Sequence, residues 1–182
     1  SGRAQEAGAA SPTEHNEWLT TFEAVAVDAD LDIKFVKVPD TEAPKIVYDT
    51  KGSYTSKFRA EVKDKTLRIS ERPDSRRPDR TEVTVYYNAL RAVSLSGAAA
   101  TFVGTLDAAV LDLTLGRKAS LTAAFDVKDL RMELTGGSSA TLTGKASYLT
   151  LFASTGRVAA SGLEVSQVIQ VPRPPCSRSG RL

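Results

Sequence analysis

The sequence predicts an all-β protein: a parallel β-helix with coils of about 19–21 residues, preceded by a strand-rich half that caps it. Three observations carry this. Apolar and polar residues alternate in short runs, the period of a strand with one buried face. No stretch shows the 3.6-residue period of a helix. From Leu90 onward charge thins, Ala, Ser, Thr, Gly and Leu take over, and the sequence repeats itself.

The first sixteen residues are rich in Ala, Ser, Gly and Glu and read as a leader or linker. From Trp18 the texture becomes strand-like. "FEAVAVDADLDIKFVKV" (22–38) reads as one alternating strand, with Leu31, Ile33 and Phe35 on one face and Asp30, Asp32 and Lys34 on the other. "PKIVYDT" (44–50) is a short strand. "KFRAEVKDKTLRIS" (57–70) is a hairpin: Phe58, Ala60 and Val62 approach a turn at Lys63–Thr66, and Leu67 and Ile69 leave it. "TEVTVYYN" (81–88) is a further strand, with Val83, Val85 and Tyr87 sharing a face. Between the last two, "ERPDSRRPDR" (71–80) balances four arginines against nearby acids around two prolines, and reads as a solvated, proline-stiffened loop. Residues 17–89 thus form a strand-rich N-terminal half.

Residues 90–171 repeat. Leu111, Leu130, Leu149 and Val168 are each 19 apart. The same step links Leu113, Met132 and Leu151; Leu115, Leu134 and Ala153; Leu121, Ala140 and Ala159; and Val127, Ala146 and Val165. One unit is then one coil, and equivalent residues stack at the strand spacing of about 4.8 Å. The outward columns agree with that register: Asp112 falls under Arg131, and Asp126, Lys145 and Glu164 alternate in sign. Gly and Ser between the strands suit sharp corners.

Composition excludes several functions. A net charge of +2 is too small to argue for a nucleic-acid or membrane partner, and no apolar run is long enough to span a bilayer. The only histidine, His15, and the only cysteine, Cys176, lie near opposite ends, which argues against zinc or a Cys–His nucleophile. A single cysteine also excludes an internal disulfide. Six acids fall in the repeat (Asp107, Asp112, Asp126, Asp129, Glu133, Glu164) without the signature of paired catalytic carboxyls, so a solvated face is the reading. "TGGSSATLTG" (135–144) is Gly-rich but opens onto no helix, and is a corner rather than a phosphate loop.

The strands "FEAVAVDADLDIKFVKV", "KGSYTSKFRAEVKDKTLRIS" and "TEVTVYYNALRAVSLSG", in that order and followed by Ser/Gly/Ala coils, resemble the putative auto-transporter adhesin family, head GIN domain. The resemblance covers about residues 20–170. It implies a right-handed β-helix-like solenoid, a bacterial extracytoplasmic or cell-surface location behind a secretion or lipoprotein signal, and an adhesin role. It brings no catalytic residues. Many family members carry an Asp after a Ser-Gly-Ser-Gly corner. Here the equivalents read "LSGAAAT", "LGRKASL" and "LTGGSSA", so no calcium ladder and no other cofactor is expected.

The expectation is a non-enzymatic extracytoplasmic module that binds glycan or protein surfaces through flat faces. Arg117, Lys118, Lys145 and Arg157 would form a basic side, and Tyr148 and Phe152 would be exposed aromatics beside it. Of the other aromatics, Tyr86, Tyr87, Phe102 and Phe125 are further candidates for a sugar-stacking platform. The alternatives are a polysaccharide-binding or polysaccharide-cleaving β-helix, and a scaffold that self-associates as a homo-oligomer through an open coil end. That end is expected because residues 172–182, "PRPPCSRSGRL", are a non-repeat tail with nothing apolar to cap the last coil. At the other end, Ser1 stands without Met or an apolar segment, which predicts a signal peptide already removed.

Overall fold

The computed structural model describes residues 12–52 and 57–170, and its regular elements are all strands. They are β1 (Glu14–Trp18), β2 (Ala24–Asp28), β3 (Asp32–Lys37), β4 (Lys45–Asp49), β5 (Phe58–Lys63) and β6 (Thr66–Glu71). β7 (Glu82–Tyr87) and β8 (Ala92–Ser96) follow, and then four long strands: β9 (Ala99–Gly116), β10 (Ser120–Leu134), β11 (Ser139–Ala153) and β12 (Arg157–Gln170). Nine of them run in the order β1-β4-β7-β3-β9-β8-β2-β6-β5, and β10, β11 and β12 add in sequence onto β9. The sheet is mixed rather than purely parallel. β1–β4, β4–β7 and β5–β6 are antiparallel; the remaining pairs are parallel.

The long strands must curl. A straight strand of 15 residues spans about 50 Å. The link from Leu134 to Ser139 reaches at most about 18 Å. Yet Ser120 pairs in parallel with Ser139, and Leu134 with Ala153, so β10 has to bend round until its end lies near its own start. β9 shows the same curl in its partners: Ala99–Val103 pairs with β3, whereas Asp112–Gly116 pairs with β8. The 19-residue step of the sequence is the pairing register itself. Leu130 stands between Leu111 and Leu149, and Leu149 meets Val168.

One column departs from that step. Ala140 pairs with Val158, not Ala159, because β12 carries an extra residue before Gly162 regains the register opposite Thr143. A β-bulge absorbs the difference.

The N-terminal half is continuous in the sheet with the strands that follow it. β2 and β3 are interior strands, paired in parallel with β8 and β9 on one side and with β6 and β7 on the other. The expected single strand 22–38 is two strands with a corner at Ala29–Leu31. Val25, Val27, Ala29, Leu31, Ile33 and Phe35 are all buried, so the alternation runs through the corner unbroken. Residues 14–16, read as leader, begin β1, which pairs with β4. The tail 172–182 and Cys176 lie outside the described residues.

Successive layers share a line of corners. The small residues Ala98, Ala119 and Ser138 are buried there, and backbone bonds join them layer to layer: Ser120 N–H donates to Ala98, Ser139 to Ala119 and Arg157 to Ser138. Gly136 at this line has φ +61°, and an added Cβ would lie 2.4 Å from the Arg117 backbone nitrogen. The predicted hairpin turn is the two-residue kind, with Asp64 and Lys65 at φ 53° and 59°.

A single core fills the interior. Phe35 stacks on Phe102 at 4.6 Å, and Tyr87 and Phe125 meet Phe102 edge-on at 6.1 Å. At the β4–β5 end, His15, Tyr48 and Phe58 form a three-ring stack, at 5.0 and 4.2 Å. At the other end, β12 pairs only with β11 among the described residues, and Val168 and Ile169 are exposed.

Candidate functional site

The six surface residues singled out from sequence fall on different parts of the sheet. Arg117 and Lys118 form the corner between β9 and β10, both at positive φ. Arg157 follows the corner two layers on, where it is the register partner of Ser139. Lys145 is six positions beyond Ser139 in β11, about 20 Å of chain away, between Asp126 and Glu164. The structure therefore brings Arg117 and Lys118 together and puts Arg157 on the same line of corners. It places Lys145 elsewhere, in a mostly acidic column. Tyr148 is exposed between Asp129 and Gln167, and Phe152 is half-buried beside Glu133.

Arg117 is already engaged. Its guanidinium lies 2.8 Å from the Asp30 carboxylate and 3.6 Å from that of Asp28, and its Nε donates to the Ser96 hydroxyl at 3.2 Å. Alongside, Arg80 meets Asp32 at 3.1 Å and donates to the Leu31 carbonyl. This corner is a belt of exposed ion pairs, each worth roughly 0–1 kcal/mol. A cleft of about 890 Å³ opens beside it, lined by Asp28, Asp30, Arg59, Arg72 and Arg117 among others.

Most of the loop 71–80 is exposed, as the solvated reading expects, but one of its ion pairs is buried. Arg77 pairs with Glu71 at 3.1 Å, with side chains only 9% and 4% exposed. Arg77 also donates to the Thr50 carbonyl and the Thr81 hydroxyl, and the Thr81 hydroxyl donates to Glu71. Charge balance in the sequence signalled the pairing; nothing in it signalled the burial.

A second groove, open and about 880 Å³, follows the middle of β9–β12. Asp107, Asp126, Lys145 and Glu164 line it as one register column, with Lys128, Ser147 and Ser166 beside them. Tyr148 comes directly after Ser147. Asp107, absent from the charge column read in the sequence, stands 19 residues before Asp126 and belongs to it. β9 is two residues longer near Val103–Gly104, and pairing regains the 19-residue step only from Thr105 opposite Ala124.

The aromatics divide by strand parity. Tyr87, Phe102 and Phe125 are core residues, while Tyr86, one position from Tyr87, is only partly buried on the opposite side of β7.

Residues 21–170 match the family described as putative auto-transporter adhesin, head GIN domain. The chain belongs to that family.

Solved structures agree on the fold of this head GIN domain. A putative adhesin from Bacteroides fragilis superposes with a TM-score of 0.80 at 16% identity, over 88% of this chain and 75% of that one. One from Parabacteroides distasonis gives 0.66 at 18% identity, over 91% and 79%. A putative lipid binding protein from the same organism gives 0.67 at 10% identity, over 90% and 79%. At these identities the likeness is one of fold. No curated protein matches this chain.

Proposed function

We propose that this head GIN domain is a non-enzymatic surface module that adheres to glycan or protein surfaces through the outer faces of its sheet. In this reading β9–β12 form a right-handed parallel β-helix, and the protein works outside the cytoplasm. Family membership supports the role and the location. The observation that carries the mode of binding is the in-register outer surface. Side chains 19 apart stand side by side on neighbouring strands, so a few polar residue types become rows of equivalent contacts. Such rows suit an extended or repetitive ligand better than a compact small molecule.

The test is binding of the purified chain to a panel of glycans and matrix proteins. A saturable, competable interaction that weakens on Lys145→Glu or Arg157→Gln supports the reading, and silence across the panel overturns it.

The Asp107–Asp126–Lys145–Glu164 groove favours a second reading, polysaccharide binding or cleavage. Release of reducing ends from a polysaccharide, abolished by Asp126→Asn, would establish cleavage. The exposed Val168 and Ile169 on β12 support self-association as a third. Sedimentation of the wild type beside Val168→Lys/Ile169→Lys separates that from a monomer.

A further inference from the structure

Trp18, Lys45 and Tyr86 stand in one row across three neighbouring strands. Trp18 is the register partner of Lys45, and Lys45 of Tyr86. The intervening positions fix which way the row points. His15 stacks on Tyr48, Tyr48 donates a hydrogen bond to Glu17, and Tyr48 stacks on Phe58 in the core. Positions 14, 16 and 18 therefore lie on the outer side of β1. The Lys45 ammonium sits 5.4 Å from the Trp18 ring centre and 5.0 Å from that of Tyr86. The row continues through Val36 to Val103, and a parallel row of Asn16, Val47, Thr84, Lys34 and Thr101 runs beside it.

Trp18 is 70% exposed, more than any other large apolar side chain among the described residues. An indole offers a large apolar face, and one held in water on a regular strand beside a second ring is placed to be covered by a ligand. The row is one residue wide with hydrogen-bonding side chains next to it. That is too narrow for the apolar centre of a protein interface, which buries about 1,200 Å² or more in all. It fits a single extended chain.

The spacing and the charge name the chemistry. The two rings are two strands apart, about 10 Å, which matches two sugar rings of an extended β-linked polysaccharide. The C–H faces of pyranose rings pack on aromatic faces. The Lys45 ammonium between the rings, with Lys34 in the next row, presents cations where an acidic substituent on the chain would lie. We infer that the Trp18–Lys45–Tyr86 row is a binding platform for an extended acidic polysaccharide, a β-linked chain bearing carboxylates. The inference rests on the surface-binding reading and gives it a site and a ligand class.

Trp18 is the only tryptophan of the chain, so its emission reports on this site alone. The probes are a β-linked oligomannuronate and a neutral β-linked glucan oligomer of equal length. The oligomannuronate should shift Trp18 emission saturably, and the neutral oligomer should bind about tenfold more weakly. By calorimetry, Trp18→Ala and Tyr86→Ala should each cost about tenfold in affinity, and Lys45→Gln should erase the preference for the acidic chain. Unchanged melting of the variants confirms their fold, since Trp18 makes little of the core. Oligomannuronate binding with Trp18 emission unmoved and Trp18→Ala unaffected overturns the platform, while the surface-binding reading stands with its site elsewhere. A protein ligand lost on Trp18→Ala, with neither oligomer bound, overturns the ligand class. No binding to the oligomers or to the wider panel overturns both.

Discussion

Arg77 places its guanidinium 3.1 Å from the Glu71 carboxylate, and both side chains are almost sealed from water. The pair closes the loop 71–80 against the strands that flank it, with the Thr50 carbonyl and Thr81 hydroxyl taking further donors of Arg77. Removing one partner of such a pair leaves a buried charge without compensation, at a cost of about 3–5 kcal/mol. Arg77→Ala should therefore lower the urea midpoint strongly. Arg76→Ala, whose side chain is 83% exposed, should cost less than about 1 kcal/mol and barely move that midpoint.

Gly144 has φ +99°, and an added Cβ would meet the Phe125 carbonyl oxygen at 2.0 Å. Neither the backbone angle nor the neighbouring strand leaves room. Gly104 has φ +79° but open space around it. Gly104→Ala should cost only the left-handed strain, about 1–2 kcal/mol, and Gly144→Ala clearly more. Equal losses in denaturant unfolding would contradict the packing of β10 on β11.

Acid and alkali act on different groups. Hydrogen bonds from the Arg76 side chain and backbone, with its charge, hold the Asp74 carboxyl down to about 2. Its ordinary value is 3.8, so its stabilising contribution is whole above that pH and drains away as pH falls toward 2. Burial, then the hydrogen bond to Glu17 and its charge, push Tyr48 up to about 12. Burial, with the Asp107 charge, does the same for Tyr87. Both phenols favour the folded state below pH 10, and that advantage is lost as pH rises from 10 through 12. Near-ultraviolet tyrosinate absorbance should show a late-titrating fraction, diminished in Tyr48→Phe and in Tyr87→Phe.

Lys145 stands between Asp126 and Glu164 in a column that begins with Asp107. Lys145→Glu would line up four acids across four strands. It should cost about 0.5–1 kcal/mol, relieved by salt. A salt-independent loss would mean that the register is wrong.

Where chemistry repeats, the sequence is explicit. The 19-residue columns are the strand register because apolar residues must meet on the buried face of the sheet, and Asp112 and Arg131 show the same alignment outside, at 3.8 Å. Elsewhere the signals conflict or are silent. The corner at Ala29–Leu31 is invisible because its inward positions keep the two-residue period of a strand. The bulge that pairs Ala140 with Val158 is hidden by neighbours small enough to exchange places. In the sequence Trp18 marks only where the strand-like texture begins; its place on an outer row depends on β4, about thirty residues away, pairing beside it. Burial of Arg77 depends on Thr50 and Thr81, which local charge balance does not register.

The order of pairing has a consequence for assembly. β2 waits for β8, β3 for β9 and β1 for β4, so the N-terminal half closes only when residues far apart in sequence have met. Such long-range closure is slow. Beyond β9 each strand needs only the one before it, and every further nineteen residues find a template already in place. A chain delivered from its N-terminus would cross one high barrier and then ratchet forward. Deleting one such unit should shorten the ratchet and leave the barrier where it is.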